Sequence, residues 1–227
     1  MKKHKSNSSG FTLIEMLVVI AVIALLAAII VPSVNRSLAS AKRSQCTSNL
    51  RQVGLAITGY AMDNRTYLPP VRDGGWSAGV HWMEIISPYL GPEVGHISDG
   101  QGVVAISRAC PAWREPNPTK PGYGMNPFPA AFSARFPNGN GQANFSRNFL
   151  QITDIDTPSR AILVGDSVDW HLALMSNNWW PANNQWGYLS AHPDRHGRVA
   201  NYLMVDGSVT PLTKADALTR LRNPNNS

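Results

Sequence analysis

A chain of 227 residues with 43% hydrophobic content, 18 glycines and 17 prolines has enough material for one domain with a real core. Only 15% of its residues are charged, and half of the formal charge of +6 comes from Lys2, Lys3 and Lys5. So sparse a positive charge excludes a dense basic nucleic-acid surface, and no specific nucleic-acid partner is expected.

Residues 1–10 form a basic leader that ends at Gly10, and residues 11–31 form an apolar run whose one charge is Glu15. As a helix this run reaches about 32 Å, enough to cross a hydrocarbon core of about 30 Å. Lysines directly before it hold the leader in the cytoplasm and send the rest of the chain outward as a single-pass protein of the inner membrane. A secretory signal peptide carries its cut site after a shorter apolar stretch, whereas the Gly10-Phe11 junction precedes this one. A carboxylate in a membrane span costs roughly 2.5–3.5 kcal/mol and needs a partner. Cleavage after Gly10 would supply one, because the new Phe11 amine of one subunit can pair with Glu15 of its neighbour. That makes Glu15 the assembly residue of a filament subunit. A plain signal anchor with an incidental acid is the simpler alternative.

Residues 32–64 read as an amphipathic continuation of the same helix, loosened at Pro32, which lacks an amide donor. Cys46, Leu50, Val53, Ile57 and Tyr60 recur at helical spacing on one face, with Lys42, Arg43, Gln45, Arg51 and Gln52 opposite. Residues 65–227 form the head. Pro69-Pro70 and Gly74-Gly75 mark a loop, and Trp82 to Leu90 reads as a short helix or turn. From Gly91 to Gly141 prolines and glycines are dense and periodicity is weak, so this stretch reads as a long loop, stitched by Trp113, Tyr123, Phe128, Phe132 and Phe136. Residues 160–166 predict a buried strand. Residues 199–212 predict a β-hairpin turning on Asp206-Gly207 as a two-residue type I′ turn, its first strand apolar on both faces and so central. Thr213 to Asp216 predicts a capped helix start, with Leu218 and Leu221 inward. The fold class is α+β: a long N-terminal helix packed on a small antiparallel sheet with long loops.

The string Gly10-Phe11-Thr12-Leu13-Ile14-Glu15 resembles the prepilin-peptidase site of type IV pilins and type II secretion pseudopilins. His196, nine intervening residues and then Asp206-Gly207 are similar to the H-x9-D-G region that closes one large group of prepilin-like proteins. The segment from Asn49 to Ala56 that follows Cys46, together with Pro88 to Gly91, Cys110-Pro111 and Tyr123 to Asn126, also looks like that group. The resemblance implies cleavage after Gly10 by a prepilin peptidase and N-methylation of Phe11. It further implies incorporation with other pilin or pseudopilin subunits, at an inner-membrane assembly platform, into a type II secretion pseudopilus or type IV pilus-like filament.

With the head outside the cytoplasm, Cys46 and Cys110 can oxidise to a disulfide; two buried thiols are the alternative. No C-x-x-C pair is present, which argues against a thiol-based structural zinc site, and no metal is assigned. The densest candidate for site chemistry is His192-Pro193-Asp194-Arg195-His196, with Asp166, Asp169 and His171 upstream. Calcium in such a loop has a precedent among pseudopilins, but none of their loop pattern matches here residue by residue. The favoured role for His196 is structural: a hydrogen bond to the Asp206-Gly207 turn or to a loop backbone that fixes the hairpin. Without a G-x-S-x-G elbow or a phosphate-binding glycine loop, no enzymatic activity and no cofactor are expected. Trp170, Trp179, Trp180, Trp186 and Tyr188 offer an alternative from another class, a membrane-tethered module that binds carbohydrate or a secreted protein. That alternative leaves the Gly10-Phe11 junction and Glu15 unexplained.

Overall fold

The structure is a computed structural model that describes residues 12–73, 80–91, 96–98, 103–105, 110–113, 122–126, 150–167, 172 and 195–221. Gly10, Phe11, Asp169, His171, His192 and Asp194 lie outside the described residues, as do Phe128, Phe132, Phe136 and the aromatic cluster at Trp170 to Tyr188. The chain divides into two units, Met1–Ala41 and Lys42–Ser227.

Helix α1 runs continuously over Leu13–Asp63 with Pro32 inside it. In the first unit most of its large apolar side chains, Leu13, Leu17, Ile20, Leu25 and Ile29 among them, are more than half exposed. Such a surface is stable only when lipid or other apolar helices replace water around it. Among the described residues, α1 is the helix long and apolar enough to cross a membrane.

In the second unit the expected stripe is the buried face of α1. Cys46, Leu50, Val53 and Ile57 are each at most 1% exposed, while Gln45 and Arg51 face solvent. Tyr60 is only half-buried; its ring meets Tyr89 edge-on at 6.2 Å, and Tyr89 donates its hydroxyl to Asp63 at 2.8 Å. The helix presses closely on the sheet at Gly54, where a Cβ would stand 2.9 Å from Leu203 Cδ1. Small residues at such points let backbone and sheet approach.

Among the described residues the main sheet has four antiparallel strands in the order β5 (Tyr123–Met125), β6 (Ile162–Asp166), β7 (Ala200–Met204) and β8 (Val209–Leu212). Strand β7 lies between two partners and every residue in it is buried, as its two apolar faces predict. Alternation assigns those faces. Leu203 joins the α1 stripe in one core, and Ala200, Tyr202 and Met204 join Leu172, Leu212 and Ala217 in a second. Ala217 comes from α3 (Lys214–Leu221), which starts with a Thr213–Asp216 cap as expected. The side chains of Leu218 and Leu221 are outside the described set.

Three expectations need correction. The stretch read as loop from Gly91 to Gly141 supplies β5, and also a separate antiparallel pair of β3 (His96–Ser98) with β4 (Val103–Ala105). Three-residue strands are too short to show an alternating pattern. Another short ladder pairs β1 (Arg72–Asp73) with β2 (Val80–His81), directly before α2 (Trp82–Ile85). The third correction is the hairpin turn. It has three loop residues, because Met204 N–H donates to Ser208 O and Gly207 N–H donates to Met204 O. Only Gly207 has positive φ (84°), the pattern of a type I turn closed by a glycine bulge rather than type I′.

Candidate functional site

At the N-terminus, Thr12 caps α1 and Glu15 reaches back to it. Glu15 Oε2 accepts from Thr12 N–H at 2.8 Å and from Thr12 Oγ1 at 2.7 Å, and Glu15 N–H points at Thr12 Oγ1 at 3.4 Å. This is a capping box, the T-x-x-E pattern that satisfies orphan donors at a helix start. The acid expected to pair with a neighbour's amine therefore has a local partner in the single chain. The T-x-x-E spacing of Thr12 and Glu15 is itself a helix-start signal in the sequence.

The second site is a buried cluster in the head. Asp166, the last residue of β6, is fully buried and its two oxygens divide the work. Oδ1 lies 3.2 Å from Arg195 Nη1; Oδ2 accepts from Asn201 N–H at 2.7 Å and stands 3.3 Å from His196 Nε2. The side chains of Arg195 and His196 are 2% and 3% exposed. Arg195 also donates to the carbonyls of Gly122 and Ser167 and stacks 4.4 Å above the Trp113 ring. Burial pulls its pKa down and the Asp166 carboxylate opposes that pull. A guanidinium suits this place because its planar fork serves several acceptors while its face meets an aromatic ring.

Cys46 of α1 and Cys110 are joined in a disulfide that closes a separation of 64 residues. By loop entropy such a link stabilises by about 4 kcal/mol. Tyr123 donates to Cys46 O at 3.1 Å, and burial lifts its phenol well above the usual value, helped by the Asp166 charge and opposed by Arg195. His196 Nε2 lies 3.8 Å from Cys110 Sγ, so the ring bridges carboxylate and sulfur. Cys46 Sγ, Cys110 Sγ and His196 Nε2 all fall within 4.8 Å of one another.

The expected bond from His196 to the Asp206-Gly207 turn is not the one observed. Its side chain meets Asp166 instead, and its backbone N–H donates to Val199 O at 3.1 Å. Asp206 is exposed and accepts from Ser208 N–H at 2.9 Å. The two ends of the H-x9-D-G region thus bracket β7, one buried and one at the turn. Arg195 stands in the 192–196 candidate run with no role of its own given to it, and Asn201 is not among the candidate site residues. A signal existed: a charged residue ending an all-apolar strand, as Asp166 does, needs a buried counter-charge.

The pattern described as the prokaryotic N-terminal methylation motif matches residues 5–31. The chain is 43% identical over 58 residues to the ComG operon protein 3 homolog of Bacillus licheniformis, covering 26% of this chain and 60% of that one. It is 31% identical over 97 residues to the type II secretion system core protein G of Aeromonas hydrophila, covering 43% of this chain and 63% of the relative. The Pseudomonas aeruginosa protein of the same name is 34% identical over 71 residues, covering 31% and 49%. The chain thus spans 49–63% of the length of these curated relatives. No solved structure matches. The matched motif and these relatives make the chain similar to type IV prepilins and pseudopilins.

Proposed function

We propose that the chain is a prepilin-like subunit that a prepilin peptidase cuts after Gly10 and methylates at Phe11. It then polymerises through α1 into a type II secretion pseudopilus or a type IV pilus-like filament. The observation that supports this best is the N-terminal methylation motif over residues 5–31, continuous with an exposed apolar helix. Before assembly the helix spans the inner membrane with the leader inside and the head outside. In the filament the same apolar surface packs on other subunits at the assembly platform, and the Glu15 carboxylate exchanges its Thr12 cap for the Phe11 amine of a neighbour. The buried head cluster keeps the sheet fixed to the helix. No enzymatic role is assigned to it.

Intact-mass and N-terminal peptide mass spectrometry on protein from native membranes tests the pathway. The expected species begins at Phe11 with one added methyl group. A chain still carrying residues 1–10 in cells with active prepilin peptidase would overturn the reading.

A further inference from the structure

We propose that the dithiol form of this chain holds a divalent ion of the zinc class between Cys46 Sγ, Cys110 Sγ and His196 Nε2. The three ligand atoms already converge within 4.8 Å, although they come from sequence positions that no local motif connects. A tetrahedral zinc ion with Zn–S of about 2.3 Å and Zn–N of about 2.0–2.1 Å sets sulfur–nitrogen edges near ~3.6 Å. The separation of Cys110 Sγ from His196 Nε2 is 3.8 Å. Once the pair is reduced, the two sulfurs must part to about 3.8 Å to serve as separate ligands.

Charge selects the ion. Two thiolates balance one divalent cation, and Arg195 balances Asp166, so the occupied site is neutral overall and tolerates burial. A monovalent ion would leave one negative charge uncompensated. Thiolate and imidazole donors select zinc-class ions over calcium or magnesium, which prefer all-oxygen shells. A newly made chain carries both cysteines as thiols and needs no reductant to enter this state. From the disulfide form, a dithiol reductant supplies two electrons and two protons, the Cys46–Cys110 bond breaks and the reductant becomes a disulfide. Ion binding then releases both thiol protons. Reoxidation by a disulfide-class oxidant, which takes up two electrons and two protons and becomes a dithiol, re-forms the Cys46–Cys110 bond and expels the ion. The cluster is thus a choice between a covalent and a metal link at one position in the fold.

The full chain in detergent micelles, reduced with a phosphine, would be titrated with Co2+ and then Zn2+, with circular dichroism followed alongside. A 1:1 thiolate-to-cobalt charge-transfer band with tetrahedral d–d absorption, displaced by Zn2+ and absent from the oxidised chain, is expected. His196→Gln should weaken binding about tenfold or more while the Cys46–Cys110 disulfide still forms on oxidation. Should reduction alone unfold the head, Zn2+ is expected to restore its circular dichroism. No thiolate–cobalt band, no zinc-driven recovery of an unfolded reduced chain, or equal affinity in His196→Gln would each overturn the assignment.

Discussion

Arg195 Nη1 stands 3.2 Å from Asp166 Oδ1 with both side chains withdrawn from water, and this pair joins β6 to the segment entering β7. Neither ion is stable there without the other. Replacing Arg195 by Met keeps the bulk against Trp113 but strands the carboxylate, and it also leaves the Gly122 and Ser167 carbonyls without their donor. The expected loss is about 3–5 kcal/mol of stability, read from denaturant unfolding of the oxidised chain. A loss below about 1 kcal/mol, the range of exposed pairs, would show that Asp166 reaches solvent.

Tyr123 links the same cluster to pH. Its phenol is raised above the ordinary 10.0 chiefly by burial. Below about pH 10 folded and unfolded chains both hold the proton; above it the unfolded chain releases its proton first. Stability tied to this group is therefore fully present at neutral pH and declines as pH climbs past about 10, by up to ~1.4 kcal/mol per pH unit. Tyr123→Phe should flatten that alkaline decline, at a cost near neutrality of about 1 kcal/mol because the hydrogen bond to Cys46 O is lost. Urea midpoints between neutral and alkaline pH, compared for the two proteins, check this. An unchanged slope would mean that another group sets the alkaline limit.

How much of this was legible in the sequence depends on the range of the contacts. The α1 stripe and the β7–β8 hairpin were readable because each follows a local period, 3.6 residues for Cys46-Leu50-Val53-Ile57 and two for the residues of β7. Asp166, Arg195 and His196 were legible as members of one candidate group, but their contacts were not, since the partners lie 28 to 86 residues apart in sequence and only the closed sheet unites them. For His196 the sequence offers the Asp206-Gly207 turn or a loop backbone as partner, whereas its side chain meets Asp166 at the end of β6. The absence of a C-x-x-C pair spoke against thiol ligands, yet the fold brings Cys46, Cys110 and His196 together. Strands as short as β1 to β5 leave no period to read.

Gly165 and Tyr202 are cross-strand partners between β6 and β7. The Tyr202 ring lies over the glycine, so a Cβ there would stand 2.7 Å from Cε1, with Leu172 Cδ2 at 3.3 Å on another side. Both neighbours are buried. Gly165→Ala is expected to cost about 1–3 kcal/mol through overpacking, seen as a lower thermal midpoint. Glycine's own entropic penalty would act in the opposite direction, so a raised midpoint would mean the ring moves freely.

The capping box separates two roles that Glu15 could play. Glutamine at this position preserves a box with Thr12 but carries no charge, while alanine removes both the box and the charge. If Glu15 serves assembly by pairing with the Phe11 amine of a neighbour, Glu15→Gln and Glu15→Ala should both be processed normally and both be depleted from sheared filaments. Thr12→Val should assemble well, because it loses the hydroxyl yet keeps the carboxylate. If only helix capping matters, Glu15→Gln should enter filaments like the wild type, and Thr12→Val should fail together with Glu15→Ala. Immunoblots of sheared and membrane fractions, beside N-terminal mass spectra, distinguish the two patterns. Pairing is the expected one: a lost cap costs about 1 kcal/mol, whereas an unpaired carboxylate among apolar helices costs several.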